Sequence, residues 1–257
     1  MTIDGLKRSM HARSAALLLS IEGRLDRILQ CWLLFAGLAT AARIASAPIP
    51  NGADLGTFAP YLLLILAPFA STVLALRWFA DGDVQPQPST RLAVLGRWRT
   101  VDRQEARRHP LYGTSGIMVS LLVGMMLNVP VRAAEYLAAM SPLPHVAPHW
   151  LSTLHMAMTF DVVLFTSLYM VAFVAALRRV PLFPRLLVAI WVCDLAMQLV
   201  IAQWVAGSDG LPSTVAGALH GLLDANVKKV LISAALWLPY LLLSTRVNLT
   251  YRSRVPA

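Results

Sequence analysis

Four ionisable side chains stand inside long apolar runs: Arg132, Glu135, Asp161 and Asp194. A charge at the centre of a membrane helix costs roughly 2.5–3.5 kcal/mol on insertion scales, so such residues are either paired or put to use. Used, they form a path for protons or cations, or a polar substrate site between helices. Paired, Arg132 and Glu135, three residues apart, make an ion pair on one helix face near the outer headgroups. Asp161 and Asp194 then hydrogen-bond across helices or bridge to a basic partner. For all four the structural reading takes precedence. Gln198 lies four residues after Asp194 and shares its face, and Asn128 and Gln203 extend the same polar seam.

Other chemistries find less support. Of the six histidines, His145 and His149 are four apart, but Pro148 forbids a regular helix through both. No metal box of the H-E-x-x-H type occurs, so neither a metal nor a haem is expected. Cys31 and Cys193 fall in apolar runs and are read as small buried hydrophobes. The string Arg108-His109-Pro110-Leu111-Tyr112-Gly113 resembles the RHPxY segment of integral-membrane methyltransferases acting on isoprenylcysteine or phospholipids. That resemblance implies S-adenosylmethionine held by Arg108, His109 and Tyr112. The tail from Val247 to Ala257 has no carboxylate to match the acidic cofactor segment of those enzymes, so no cofactor is expected.

The elements that must position these groups follow from composition. Hydrophobic residues make up 57% of the 257 and charged residues only 14%, against about 25% charged in soluble domains. The mean hydropathy is +0.62. Crossing a hydrocarbon core of about 30 Å takes about 20 helical residues. Six runs reach that length, at about 28–47, 59–79, 115–139, 151–177, 186–206 and 229–246. They lack the alternation of barrel strands, so the fold class is an all-α integral membrane protein with six transmembrane helices.

The net charge of +9 reflects topology rather than nucleic-acid binding. Of the 22 basic residues, 18 fall in the N-terminal segment, the second and fourth connections and the tail. Only Arg43, Arg132, Lys228 and Lys229 fall elsewhere. Basic loops stay in the cytoplasm, so both termini are placed there. The chain divides into a cytosolic amphipathic segment (1–27), a two-helix N-terminal extension (28–79), a cytosolic basic loop (80–114) and a four-helix membrane domain (115–257). Within the first, residues 14–27 read as an interfacial amphipathic helix. Residues 141–149 form a rigid, proline-rich outer loop, and residues 213–226 a short helix on the outer surface.

Residues about 113–252 resemble the YdgK-like family of small bacterial inner-membrane proteins of unknown function. Gly116, Pro130 and Arg132 match its first helix, and Asp161 stands at its acidic position, where glutamate is commoner. The turn from Arg178 to Arg185, with Pro181 and Pro184, and the segment Trp237-Leu238-Pro239-Tyr240 followed by Ser244-Thr245-Arg246-Val247 carry the specific match. The resemblance implies a four-helix unit and no activity. Pro239 should bend the last helix with Trp237 and Tyr240 packed around the break, and Arg246 should anchor its cytosolic end.

The chain lacks a nucleotide loop, a metal box or a nucleophile triad. The expectation is therefore a non-enzymatic accessory or scaffold subunit whose partners are the bilayer and other membrane proteins. The alternative is a small-molecule or proton-coupled transporter built on Asp161 and Asp194, and a further one is the methyltransferase.

Overall fold

The computed structural model describes residues 3–47, 55–89, 92, 95–143, 147–208 and 210–257. Nine helices are found among them. They are α1 (Ile3–Glu22), α2 (Leu25–Ala45), α3 (Leu55–Trp78), α4 (Arg103–Arg108), α5 (Ile117–Ala139), α6 (His149–Leu177), α7 (Phe183–Ala206), α8 (Ser213–Leu243) and α9 (Thr245–Arg252). Two short strands, β1 (Trp98–Thr100) and β2 (Arg254–Pro256), pair antiparallel. Six helices, α2, α3 and α5 to α8, are long and apolar enough to cross a membrane. The chain is a multi-pass helical membrane protein.

The centre of the bundle is α6, which packs on α3, α5 and α7. Its Phe165, Phe173 and Ala172 to Ala176 are fully buried. α2 closes on α3 and α5, and α8 packs along α7. Alanines on α6 let neighbouring backbones come close, which is how membrane helices associate when lipid supplies no hydrophobic drive. One apolar cluster unites α5, α6 and α7 around Phe165, Phe173 and Phe183. A second, around Tyr61, Tyr136 and Ile201, ties α3 and α8 to the other end. There Arg43 and Tyr61 both donate to the carbonyl of Met140, at 3.2 and 3.5 Å.

The segments rich in arginine gather at one end. The turn between α6 and α7 is closed by Val180 N–H on Ala175 O (2.9 Å) and Arg179 N–H on Ala176 O (3.1 Å), with Arg179 left-handed at φ 56°. That pattern terminates α6 as a Schellman motif. Gly82 packs against this turn: a Cβ there would sit 2.7 Å from the carbonyl of Arg178 and 2.6 Å from Val180. Only glycine permits that approach. Tyr251 donates to Ala176 O at 2.8 Å, and Gln87 donates to Tyr251 O at 3.0 Å. β1 joins β2, so the connection before α5 and the tail are stitched together.

Several expectations change. The N-terminal amphipathic helix is longer and ends earlier, at Glu22; Gly23 and Arg24 break the chain, and Leu25 to Arg27 already belong to the first span. Residues 213–226 are no separate surface helix but the first half of α8. Leu219, Leu223 and Val230 continue one buried stripe through the polar stretch, while Asp224 and Lys228 pair four apart on the exposed side at 2.5 Å. At 31 residues α8 is about 46 Å long, more than the hydrocarbon core requires. The last span also stops at Leu243 rather than 246, and an unexpected buried helix, α9, follows. Asn248 of α9 donates back to the carbonyls of Leu242 (2.9 Å) and Ser244 (3.1 Å), capping the end of α8. Cys31 and Cys193 are exposed on helix surfaces, not buried. In the proline-rich outer loop, residues 144–146 lie outside the described residues, His145 among them, as does Arg91 of the basic loop.

Candidate functional site

Asp161 is the thirteenth residue of α6 and Asp194 the twelfth of α7. Each is therefore about 17 Å from the start of its helix, near the middle of a span. On α6, Asp161, Phe165 and Tyr169 follow one another at four-residue spacing and share a face; on α7, Asp194 and Gln198 do the same. These two faces meet Arg132 of α5.

Arg132 bridges both carboxylates. Its Nη1 donates to Asp161 Oδ2 at 3.3 Å and its Nη2 to Asp194 Oδ2. The side chains are nearly or wholly buried: 12% exposed for Arg132, 6% for Asp161 and 0% for Asp194. The hydroxyl of Tyr169 donates to the same Asp194 Oδ2 at 3.1 Å. Gln198 Nε2 donates to Asp161 Oδ1 at 3.0 Å and to Asp194 Oδ1 at 3.5 Å, and Asn226 Nδ2 of α8 donates to Gln198 Oε1 at 3.3 Å. The guanidinium also lies over the rings of Phe165 (5.3 Å) and Tyr169 (5.7 Å). Four helices thus converge on one network. A buried charge pair is tolerated only where its remaining hydrogen-bonding capacity is filled, and here the carboxylate oxygens are nearly all engaged.

The expected pairing of Arg132 with Glu135 is not what forms. Arg132 turns inward to the two aspartates, while Glu135 pairs with Lys229 of α8 at the rim. Two carboxylates, themselves held by Tyr169 and Gln198, offer Arg132 a fuller set of partners than Glu135 alone, which is what offsets the cost of burying the charge. Lys229 and Glu135 stay half-exposed, at 53% and 39%. Asn128 lines the cleft beside the network, whereas Gln203 is exposed and takes no part in the seam.

Two cavities adjoin the network. A cleft of about 130 Å³ between α5 and α8 is lined by Asn128, Arg132, Tyr169, Trp191, Lys229 and Trp237. A smaller one of about 30 Å³ touches Arg132, Glu135, Tyr136, Asp161 and Asn226. Arg132, Glu135 and Asn226 border both. The first extends toward the arginine-rich end, where Leu187 and Trp237 lie, and the second toward Met158 and Leu222 at the other. Arg132 therefore borders both cavities, each of mixed polar and apolar lining.

Residues 113–252 match the profile of the family described as protein of unknown function, DUF2569. The chain belongs to that family. No curated protein and no solved structure matches it. In this DUF2569 member the charged network consists wholly of residues within the matched stretch, and α1 to α3 lie outside it.

The other motif residues of this DUF2569 chain serve its architecture. Pro181 and Pro184 are buried in the α6–α7 turn, Pro184 in the first turn of α7, where a missing N–H costs nothing. Pro239 lies inside α8, with Trp237 and Tyr240 in edge contact at 5.9 Å. Arg246 donates to Ser115 Oγ at 2.8 Å and to Gly113 O at 3.4 Å, locking α9 to the start of α5. Arg108 ends α4, His109 Nδ1 accepts from the backbone N–H of Leu111 at 3.1 Å, and Tyr112 lies under the guanidinium of Arg179 at 5.8 Å. Gly113 N–H donates to Thr250 Oγ1 at 3.0 Å, so the RHPLYG string ends in a turn that docks the start of α5 onto α9.

Sequence reasoning missed Tyr169, Phe165, Asn226 and the role of Lys229. The four-residue spacing of Asp161, Phe165 and Tyr169 was the available signal. Asn226 and Lys229 carried none, because α8 was expected to begin only at 229.

Proposed function

We propose that this protein is a proton-linked carrier of a small organic cation, with the Arg132–Asp161–Asp194 centre as its coupling site. The carrying observation is that Arg132 is held by carboxylates from two helices at the divide between two cavities. With all groups ionised, two buried carboxylates face one guanidinium, and the rim pair Glu135–Lys229 is neutral. The centre then lacks one positive charge, which a proton or a substrate cation can supply. Trp191, Trp237 and Tyr169 border the larger cleft, and Asn128, Asn226 and Ser233 add polar groups. Rings beside an unbalanced negative charge suit an amine with an apolar body. Asp161 borders the smaller cavity and Asp194 neither, so a substrate cation would reach the carboxylates only as Arg132 gives way. Arriving there, it would take the place of the proton that had balanced the centre, and that proton would leave.

The test is flux in proteoliposomes loaded with a pH-sensitive dye and challenged in turn with amines, amino acids and short carboxylates. Amine-dependent proton movement that vanishes in both Asp161→Asn and Asp194→Asn is the expected result. Unchanged flux in both variants overturns the assignment of this centre.

The finer placement belongs to the same proposal: a YdgK-like protein of a bacterial inner membrane with both termini cytoplasmic, the arginine-rich end facing in. A reporter fused after Ala257 that proves periplasmic would reverse it.

One observation favours the accessory-subunit reading as well. α8 packs mainly on α7, and Gly217 and Gly221, four apart, have open space before them. A second membrane protein could cover that face. Migration only as a free monomer in blue-native gels of mild-detergent membranes would remove this reading.

A further inference from the structure

At the arginine-rich end the rings of Phe183 and Tyr251 meet at 5.0 Å, which brings the start of α7, with Arg185, against α9 and the tail, with Arg252 and Arg254. Arg252 of α9 is 6% exposed, and its Nη1 donates to Asn248 Oδ1 at 3.1 Å. Its Nε and Nη2 are shielded from solvent and have no hydrogen-bond partner. These two atoms form one edge of the guanidinium, the pair of parallel N–H bonds that grips carboxylate or phosphate in bidentate fashion. Arg185, in the first turn of α7, uses Nη1 on the carbonyl of Pro181 at 3.2 Å and leaves its buried Nε unpartnered. Arg254 opens β2, close enough to repel both.

Among the described residues, none of the three pairs with a carboxylate. The acidic groups nearby are engaged elsewhere: Asp83 with Arg107 at 3.0 Å, Glu105 with Arg99 at 3.3 Å, and Asp102 as the cap of α4. Burial, followed by Arg185 and Arg254, pulls the Arg252 guanidinium down to about 10. It remains protonated at cellular pH, so an anion, rather than loss of a proton, would neutralise it. Unpaired buried donors are rare in folded proteins, and such a pair of N–H groups calls for an acceptor.

We propose that Arg185, Arg252 and Arg254 form a binding site for a phosphate-type oxyanion. The fork of Arg252 supplies the bidentate grip, and Arg185 and Arg254, both half-buried, form the outer side through which the anion enters. Arg185 stands at the start of a span, at the depth of the headgroups, so a lipid phosphate and a free phosphate both satisfy the chemistry.

The experiment is thermal unfolding of the full chain, followed in neutral detergent and in nanodiscs. In detergent, sodium phosphate is compared with sodium chloride at equal ionic strength. A rise in Tm of about 3 °C is expected once phosphate exceeds its Kd about tenfold. The rise should be absent in the double variant Arg185→Gln/Arg254→Gln and in Arg252→Gln. If Arg252→Gln does not fold, the double variant decides. In nanodiscs of phosphatidylcholine with added phosphatidylglycerol, disappearance of the phosphate response together with a higher starting Tm assigns the site to a lipid headgroup. Persistence of the response assigns it to a free anion. Equal Tm in phosphate and chloride, with no gain from phosphatidylglycerol, overturns the proposal, as does a wild-type response in the double variant.

Discussion

Arg132 of α5 and Asp194 of α7 pair in the interior of the bundle, and the Asp194 side chain is 0% exposed. The same carboxylate oxygen accepts the Tyr169 hydroxyl at 3.1 Å. The pair joins helices that are not consecutive in the chain, with α6 between them carrying Asp161 and Tyr169. The consequences for stability can be stated variant by variant.

Arg132→Gln leaves two buried carboxylates without their cation. Removing one partner of a buried pair costs about 3–5 kcal/mol. The expected result is a large fall in Tm and in folded yield in detergent. Adding Asp194→Asn to that variant should recover part of the loss, because it removes a stranded charge. A double-mutant cycle on Tm measures the coupling, and strict additivity would show that the two residues do not interact.

Tyr169→Phe deletes one hydrogen bond to a charged acceptor and keeps the ring under Arg132. The expected loss is about 1.5–3 kcal/mol, smaller than that of Arg132→Gln. The order of the two melting temperatures is the check.

Glu135→Gln or Lys229→Gln breaks a half-exposed pair. Such pairs contribute at most about 1 kcal/mol, so Tm should barely move. If the cleft is an entry route, apparent substrate affinity in the flux assay should change with little change in maximal rate.

Gly82→Ala forces a Cβ to within 2.7 Å of a backbone carbonyl in the α6–α7 turn. Backbone cannot yield as a side chain can, and overpacking of this kind costs about 1–3 kcal/mol. Limited proteolysis should show faster cleavage in the basic loop, while the six spans stay resistant.

The six spans were legible in the sequence because hydrocarbon demands about 20 apolar residues in a row whatever the helices later touch. The arginine bias was legible for a similar reason, and Asp161, Asp194, Arg132 and Gln198 were visible as costly groups in apolar runs. Their pairing was not. Arg132 has Glu135 one turn away and two aspartates 29 and 62 residues away in sequence, and only packing of α5 against α6 and α7 makes the distant partners nearer. α8 was misread because Asp224, Lys228 and Lys229 look like a break; a long helix with its charges on the outer side and one buried stripe has the same composition. The pairing of β1 with β2, three residues each, left no periodic signal. Spans follow from the solvent and are written locally. Partners follow from which helix faces meet, and that was decided only when the whole bundle packed.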